Sequence, residues 1–327
     1  MAQQGNGRRK NSRKKIINLI YALAVFCLSG MLFLLQNPNV AEQAETQAET
    51  DQTADSELLE AAQDEDEDTG TLEVHFIDVG QGSATLIKCG EHAMLIDAGG
   101  NDKGTALQLY LKKQQVESLD YLVLTHADAD HIGGADVLIT KLDIDKVFMS
   151  DYAKDTKTYE DVIQALFSRS LAWETPKVSE VYELGEASFT ILAPNEEYQD
   201  SNEASIALML NFKENSFLFT GDAGEKSEED MLANGLSLEA DVYLAGHHGS
   251  RYSSCEAFLD AVSPSYVVIS CGAKNTYGHP HAETLNNLRK RGIQVFRTDE
   301  QGSIVAVSNG KQITFNCAPS ESWQAGE

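Results

Sequence analysis

From Thr71 onward the chain alternates short apolar runs with polar, glycine-containing turns, a rhythm that predicts strands more often than helices. Leu72 to Val79 alternates at its start, and Ala84–Ile87 and Ala93–Asp97 follow after turn residues, so an antiparallel meander is expected. A helical pattern over Thr105–Gln115 precedes the apolar run Tyr121–Leu124, which reads as a buried strand. Later strands are predicted at Lys146–Met149, Phe189–Leu192, Ser205–Phe212, Ser216–Thr220, Val242–Leu244, Tyr266–Ser270, Ile293–Arg297 and Ser303–Val307. Helices are predicted near 132–140, 158–170, 224–234, 254–262 and 281–291. Helices spread among strands along the whole length fit an α/β architecture of two sheets packed face to face, with helices outside.

Before Thr71 the pattern differs. Residues 1–15 carry six basic side chains and no acid, and Ile16 to Leu35 then runs for 20 residues without a charge. Such a run gives about 30 Å of helix, one hydrocarbon thickness, so 16–35 is expected to be a transmembrane anchor. The basic flank predicts a cytoplasmic N-terminus and an extracytoplasmic remainder. The competing expectation is a signal peptide cleaved near Val40-Ala41, where the small-residue site is poor. Residues 41–69 hold 12 acids and no base, so 36–70 is expected to be a disordered acidic linker. This leaves 71–318 as the folded domain and 319–327 as a tail.

Charge narrows the partners. Residues 70–327 contain 19 basic and 39 acidic side chains, a net of −20. A long polyanion is repelled by that field unless bound cations or a local basic patch offset it. Arg251, Lys274, Arg289, Lys290, Arg291 and Arg297 are candidates for such a patch. Of the five cysteines, Cys27 lies in the apolar run, and Cys89, Cys255, Cys271 and Cys317 show no CxxC spacing, which argues against a structural zinc knuckle. A domain of this size needs no disulfide.

The chemistry concentrates in Thr125-His126-Ala127-Asp128-Ala129-Asp130-His131-Ile132-Gly133-Gly134, four potential metal ligands within six positions. Thr220-Gly221-Asp222 and Gly246-His247-His248-Gly249-Ser250 also follow apolar runs, so all three segments are expected at strand ends. Acids and imidazoles from three loops point to a hydrolase with a two-metal centre.

This set resembles the metallo-β-lactamase superfamily. With Asp78-Val79-Gly80-Gln81-Gly82, Leu95-Ile96-Asp97-Ala98-Gly99 and Asn275-Thr276-Tyr277-Gly278-His279-Pro280 added, it is similar to the hydrolase domain of ComEC-type competence proteins, over about residues 72–308. The resemblance implies a four-layer αββα sandwich holding two divalent ions, zinc or manganese, and no organic cofactor. With only one apolar span, the chain is expected to be a standalone anchored relative, monomeric, without the multi-span channel.

By position, the resemblance implies His126 and Asp128 as ligands of one metal, Asp130, His131 and His247 of the other, and Asp222 as the bridge. His248 is implied as a substitute for His247, or as a catalytic group beside Asp130 and His279. Asp128 stands where the superfamily usually has His, and the harder oxygen favours manganese over zinc. No His lies between His131 and His247, so the usual third ligand of the first metal is missing; Asn202 to Ser205 lies where it is expected. Asp97 is expected to orient a ligand histidine, and Asp78 either to do the same or to end a strand. Gln81, Ser83 and Asn275 are expected to line the substrate pocket, Ser83 replacing an acid common in the family. His75 and His92 read as satisfied or surface histidines, and His281 as a helix start. The function expected is hydrolysis of a phosphodiester, either nucleic acid or a small envelope ester, with a non-catalytic metal- or nucleic-acid-binding module as the alternative.

Overall fold

The computed structural model of the protein describes residues 70–326. The basic segment 1–15, the expected anchor 16–35 and the linker up to 69 lie outside the described residues. Among the described residues, no helix is long and apolar enough to cross a membrane.

The first strands are β1 (Leu72–Phe76), β2 (Thr85–Cys89), β3 (His92–Ile96), β4 (Ser118–Leu124), β5 (Asp143–Met149) and β6 (Trp173–Glu174). Strands β7 (Val181–Leu184), β8 (Ala187–Ala193), β9 (Ala207–Phe212), β10 (Asn215–Phe219), β11 (Val242–Leu244), β12 (Tyr266–Ile269) and β13 (Gln294–Arg297) follow. The chain then returns through β14 (Ile304–Ser308) and β15 (Ile313–Phe315). One sheet has the order β15-β14-β1-β2-β3-β4-β5-β6 and the other β13-β12-β11-β10-β9-β8-β7. The expected meander is present, since β1–β2 and β2–β3 pair antiparallel. From β3 to β6, and from β10 to β13, the pairings turn parallel.

Three apolar cores define the layers. One gathers inward residues of both sheets, among them Phe76 of β1 stacked 6.3 Å from Phe219 of β10. The second packs the outer face of the first sheet under helices Gly104–Lys113, Ala135–Lys141 and Lys157–Arg169. The third covers the second sheet with helices Glu225–Ala233, Glu256–Val262 and Ala282–Lys290. Strands buried on both faces explain why β4 and β10–β12 read as nearly continuous apolar runs. Each fully buried Leu, Val or Phe contributes about 1.5–3 kcal/mol.

Several expectations shift. The helix expected at 132–140 is two helices, Ala129–Ile132 and Ala135–Lys141, divided at Gly133-Gly134. A Cβ on Gly134 would lie 2.4 Å from the Ala98 carbonyl oxygen and 2.9 Å from Gly104 Cα, so the glycine lets two backbones touch. The short strands β6, β7 and β15 were not expected, because two to four residues carry too little alternation to register. Within the segment expected to be a tail, the described residues are tied to the domain: Ser320 N–H donates to the Val295 carbonyl (2.7 Å) and Gly326 N–H to the Pro280 carbonyl (3.0 Å). The described cysteines are all free. Replacing Gly134 by Ala should lower the unfolding free energy by about 1–3 kcal/mol, the cost of overpacking against backbone, as read from urea denaturation.

Candidate metal centre

Each chemistry-bearing loop leaves the C-terminal end of a parallel strand: 125–134 after β4, 220–222 after β10, 246–250 after β11 and 270–280 after β12. The 125–134 loop is clamped by backbone bonds. Ala98 N–H donates to His131 (2.6 Å), Ser83 N–H to Asp130 (3.1 Å) and Gly134 N–H to Gly99 (3.2 Å).

Asp97, 1 % exposed, follows β3 with a positive φ of 61°. Its carboxylate accepts from Thr125 N (2.9 Å), Thr125 Oγ1 (2.9 Å) and His131 Nδ1 (2.7 Å). A hydroxyl has one proton to give, and Thr125 gives it to Asp97. Its oxygen therefore accepts from His126 Nδ1 at 3.1 Å, which puts the ring proton on Nδ1 and a lone pair on Nε2. His248 Nδ1 donates to the Ser270 carbonyl at 2.8 Å. Three imidazoles are thus held by Nδ1 and present Nε2 to one place, the arrangement that orients metal-ligating histidines.

Asp222 lies at that place, its own N–H held by Ser205 Oγ at 3.1 Å. Its Oδ1 is 3.1 Å from His131 Nε2, and its Oδ2 is 3.8, 3.7 and 3.6 Å from Nε2 of His126, His247 and His248. His248 Nε2 is also 3.3 Å from Asp130 Oδ2 and 3.2 Å from His131 Nε2. Two compact ligand groups result, His126–His131–Asp222 and Asp130–His131–His248. His126 Nε2 is fully buried without a hydrogen-bond partner. An orphaned imidazole nitrogen facing a carboxylate is costly unless a cation completes it, so the donor set fits a divalent ion.

The electrostatics agree. Burial, aided by His131, pushes His126 down to about 4, so the ring is neutral and its lone pair available. Burial alone would depress His131, but Asp222 and Asp97 hold it well above its ordinary value. Burial is likewise outweighed at His248, which Asp222 and Asp130 raise. Asp130 and Asp222 are opposed by burial yet held low by these histidines. Without a cation, the cluster balances its carboxylates with protons.

The order expected of the adjacent histidines is reversed. His248 joins Asp130 and His131, whereas His247 keeps its side chain 24 % exposed at the mouth. Both adopt positive φ, 51° and 58°, which aims the two rings differently. Asp128 joins neither group: its Oδ1 accepts from Lys154 Nζ (2.6 Å) and Ser201 Oγ (2.7 Å). The segment Asn202 to Ser205, expected to replace the missing ligand, reaches the centre through Ser205, whose hydroxyl oxygen accepts from Asp222 N–H; Ser201, just before it, bonds Asp128 instead.

Among the pocket candidates, Ser83 lines the cavity beside Asp97, His131, Asp222 and His248. Gln81 Oε1 accepts from Gly272 N (3.2 Å), so its amide donates to His279 Nδ1 (3.4 Å). Asn275 is not a pocket residue: its side chain donates to the carbonyls of Gly272 and His279 and accepts from the N–H groups of Tyr277 and His279. It shapes the loop that carries His279. Asp78 does not orient a histidine; it is exposed and closes a turn onto Gly80 N (2.9 Å). His75 bonds Tyr110 and Glu73, His92 bonds Asp120, and His281 stands at the start of helix Ala282–Lys290, its Nδ1 accepting from Arg251 N–H. Half of the basic patch is paired with acids. Arg251 pairs with Glu283, Arg291 with Asp260, and Arg297 is buried against Asp299.

The residues the sequence missed are Lys154 and Ser201, which lie in loops with no pattern around them. Thr125 stood inside the quoted motif, and the only signal for it was its place between a strand end and a ligand histidine.

The metallo-beta-lactamase superfamily model matches residues 77–273. The chain belongs to that superfamily. It is 32 % identical over 271 residues to ComE operon protein 3 of Bacillus subtilis, covering 76 % of this chain and 34 % of that protein. It is 34 % identical over 230 residues to Competence protein ComA of Neisseria gonorrhoeae, covering 69 % and 31 %. Recombination protein 2 of Haemophilus influenzae is 29 % identical over 243 residues, covering 72 % and 28 %. The chain spans about a third of the length of these curated relatives, which are the competence-type proteins its motifs resemble.

Two outcomes follow from the cluster. Replacing Asp97 by Ala should weaken divalent-metal affinity about 10- to 100-fold, measured by calorimetric titration of chelator-stripped protein. Because His131 and His248 are raised and must lose protons to bind a cation, affinity should rise with pH and binding should release protons. The buffer dependence of the calorimetric heat measures that release.

Proposed function

We propose that the protein is a metal-dependent phosphodiester hydrolase whose ions are held by His126, Asp130, His131, Asp222 and His248. The observation that carries this reading is the convergence of three Nδ1-anchored imidazoles on Asp222, with His126 Nε2 buried and unpartnered. Divalent ions bound there supply an activated water and neutralise charge on the scissile group.

The chain's own groups do the rest. Asp222 and Asp130 fix the positions of charge, and Asp97 and Thr125 keep His126 and His131 in the binding tautomer. His279 is pushed down to about 3 by burial and by the neighbouring His248 and His247, so it is neutral at neutral pH. With Gln81 donating to its Nδ1, the ring proton sits on Nε2, where it can bond a substrate oxygen. This is a hydrogen-bonding role for the expected catalytic group His279. His247, partly exposed and with its ring centroid 5.4 Å from that of His279, would flank a bound substrate beside it.

The competence relatives support nucleic acid as the substrate. The pairing of Arg251, Arg291 and Arg297 with acids and the net charge of −20 support a small phosphodiester of the envelope as the second reading. The basic flank and uncharged run at 1–35 support a single-pass anchor with the catalytic domain outside the cytoplasm. Full-length protein with Mn2+ should cleave bis(p-nitrophenyl) phosphate, and Asp130→Ala should reduce kcat/KM by about 10³-fold or more. Unchanged turnover in that variant refutes the site; comparison of single-stranded DNA with small diesters selects between the substrates.

A further inference from the structure

Lys154 makes the closest charged contact with the ligand loop, and no motif accounts for it. It follows β5, in a loop that is tied down at several points. Ser150 Oγ donates to the Ala204 carbonyl (2.7 Å) and Tyr152 OH to the Gln199 carbonyl (3.3 Å), so the loop is fastened to the 199–206 segment. That segment supplies Ser201, whose hydroxyl shares Asp128 Oδ1 with the Lys154 ammonium. The pair is half-buried, at 34 % and 29 % exposure. Asp128 is thereby engaged outside both ligand groups, and the His126 group has no carboxylate of its own beyond Asp222.

We propose that Lys154 is a built-in counter-cation that makes the two halves of the metal centre unequal. The proposal rests on the reading of the His–Asp cluster as a divalent-metal site. The Asp130–His131–His248 half keeps its full donor set and fills first. The His126–Asp222 half fills weakly, because an ion there must draw Asp128 away from the ammonium and bind against its charge. The field of a nearby ammonium at a half-exposed site changes the equilibrium constant for binding a cation by about tenfold.

The test is titration of chelator-stripped full-length protein with Mn2+, followed by calorimetry and by electron paramagnetic resonance. Resonance separates isolated ions from exchange-coupled pairs. Wild type should show one tight and one weaker ion. Lys154→Met should tighten the weaker ion by about tenfold or more and bring in the coupled-pair signal at lower Mn2+. Lys154→Arg, which keeps the charge, should retain the wild-type pattern, and Ser201→Ala, which removes no charge, should change it little. Equal tight sites in wild type, or identical titrations for wild type and a natively folded Lys154→Met by circular dichroism, overturn the role of Lys154 while leaving the metal centre standing. Failure of both proteins to bind Mn2+ overturns the metal centre and the proposal together.

Discussion

The buried carboxylate of Asp97 fixes the chemistry of the sheet edge. It binds the backbone and hydroxyl of Thr125 and the Nδ1 proton of His131, and through Thr125 it sets the tautomer of His126. Charge-assisted bonds of this kind contribute about 1.5–3 kcal/mol each. Its place follows from the fold. β3 and β4 run parallel, so Asp97 and Thr125 leave the same end of adjacent strands, and the left-handed turn at Asp97 sends the chain back under His131.

The cluster is rigid for backbone reasons as much as for side-chain ones. Gly82 and Gly134 allow the 125–134 loop to lie against neighbouring backbone at distances that a Cβ would forbid. The electrostatic consequence is a centre organised in advance. Its carboxylates are held charged and His126 is held neutral, the states a cation requires. His131 and His248 carry the compensating protons, which is also a stability effect. A raised folded-state pKa adds stability below the unfolded value near 6.5, and that gain fades as pH rises through the folded values.

Much of this was legible beforehand. The meander, most strand positions and most helices follow from period and turn residues, and the three ligand loops follow from His and Asp at strand ends. What the sequence could not show was direction. Between His247 and His248, one residue apart, only the consecutive positive-φ turn decides which ring enters the cluster. Asp128 looked like a ligand because spacing is blind to a lysine 26 positions away. Asn275 looked like a pocket residue because nothing in a linear motif distinguishes a side chain that binds substrate from one that binds its own loop.

The central claim is that this constellation is a cation-binding centre, and crystals soaked in Mn2+ test it most directly through anomalous scattering. The account requires a peak within bonding reach of Asp130, His131 Nε2 and His248, strongest there and weaker beside His126 and Asp222. An anomalous map without a peak among these side chains, at saturating Mn2+ and with the fold intact, would contradict it.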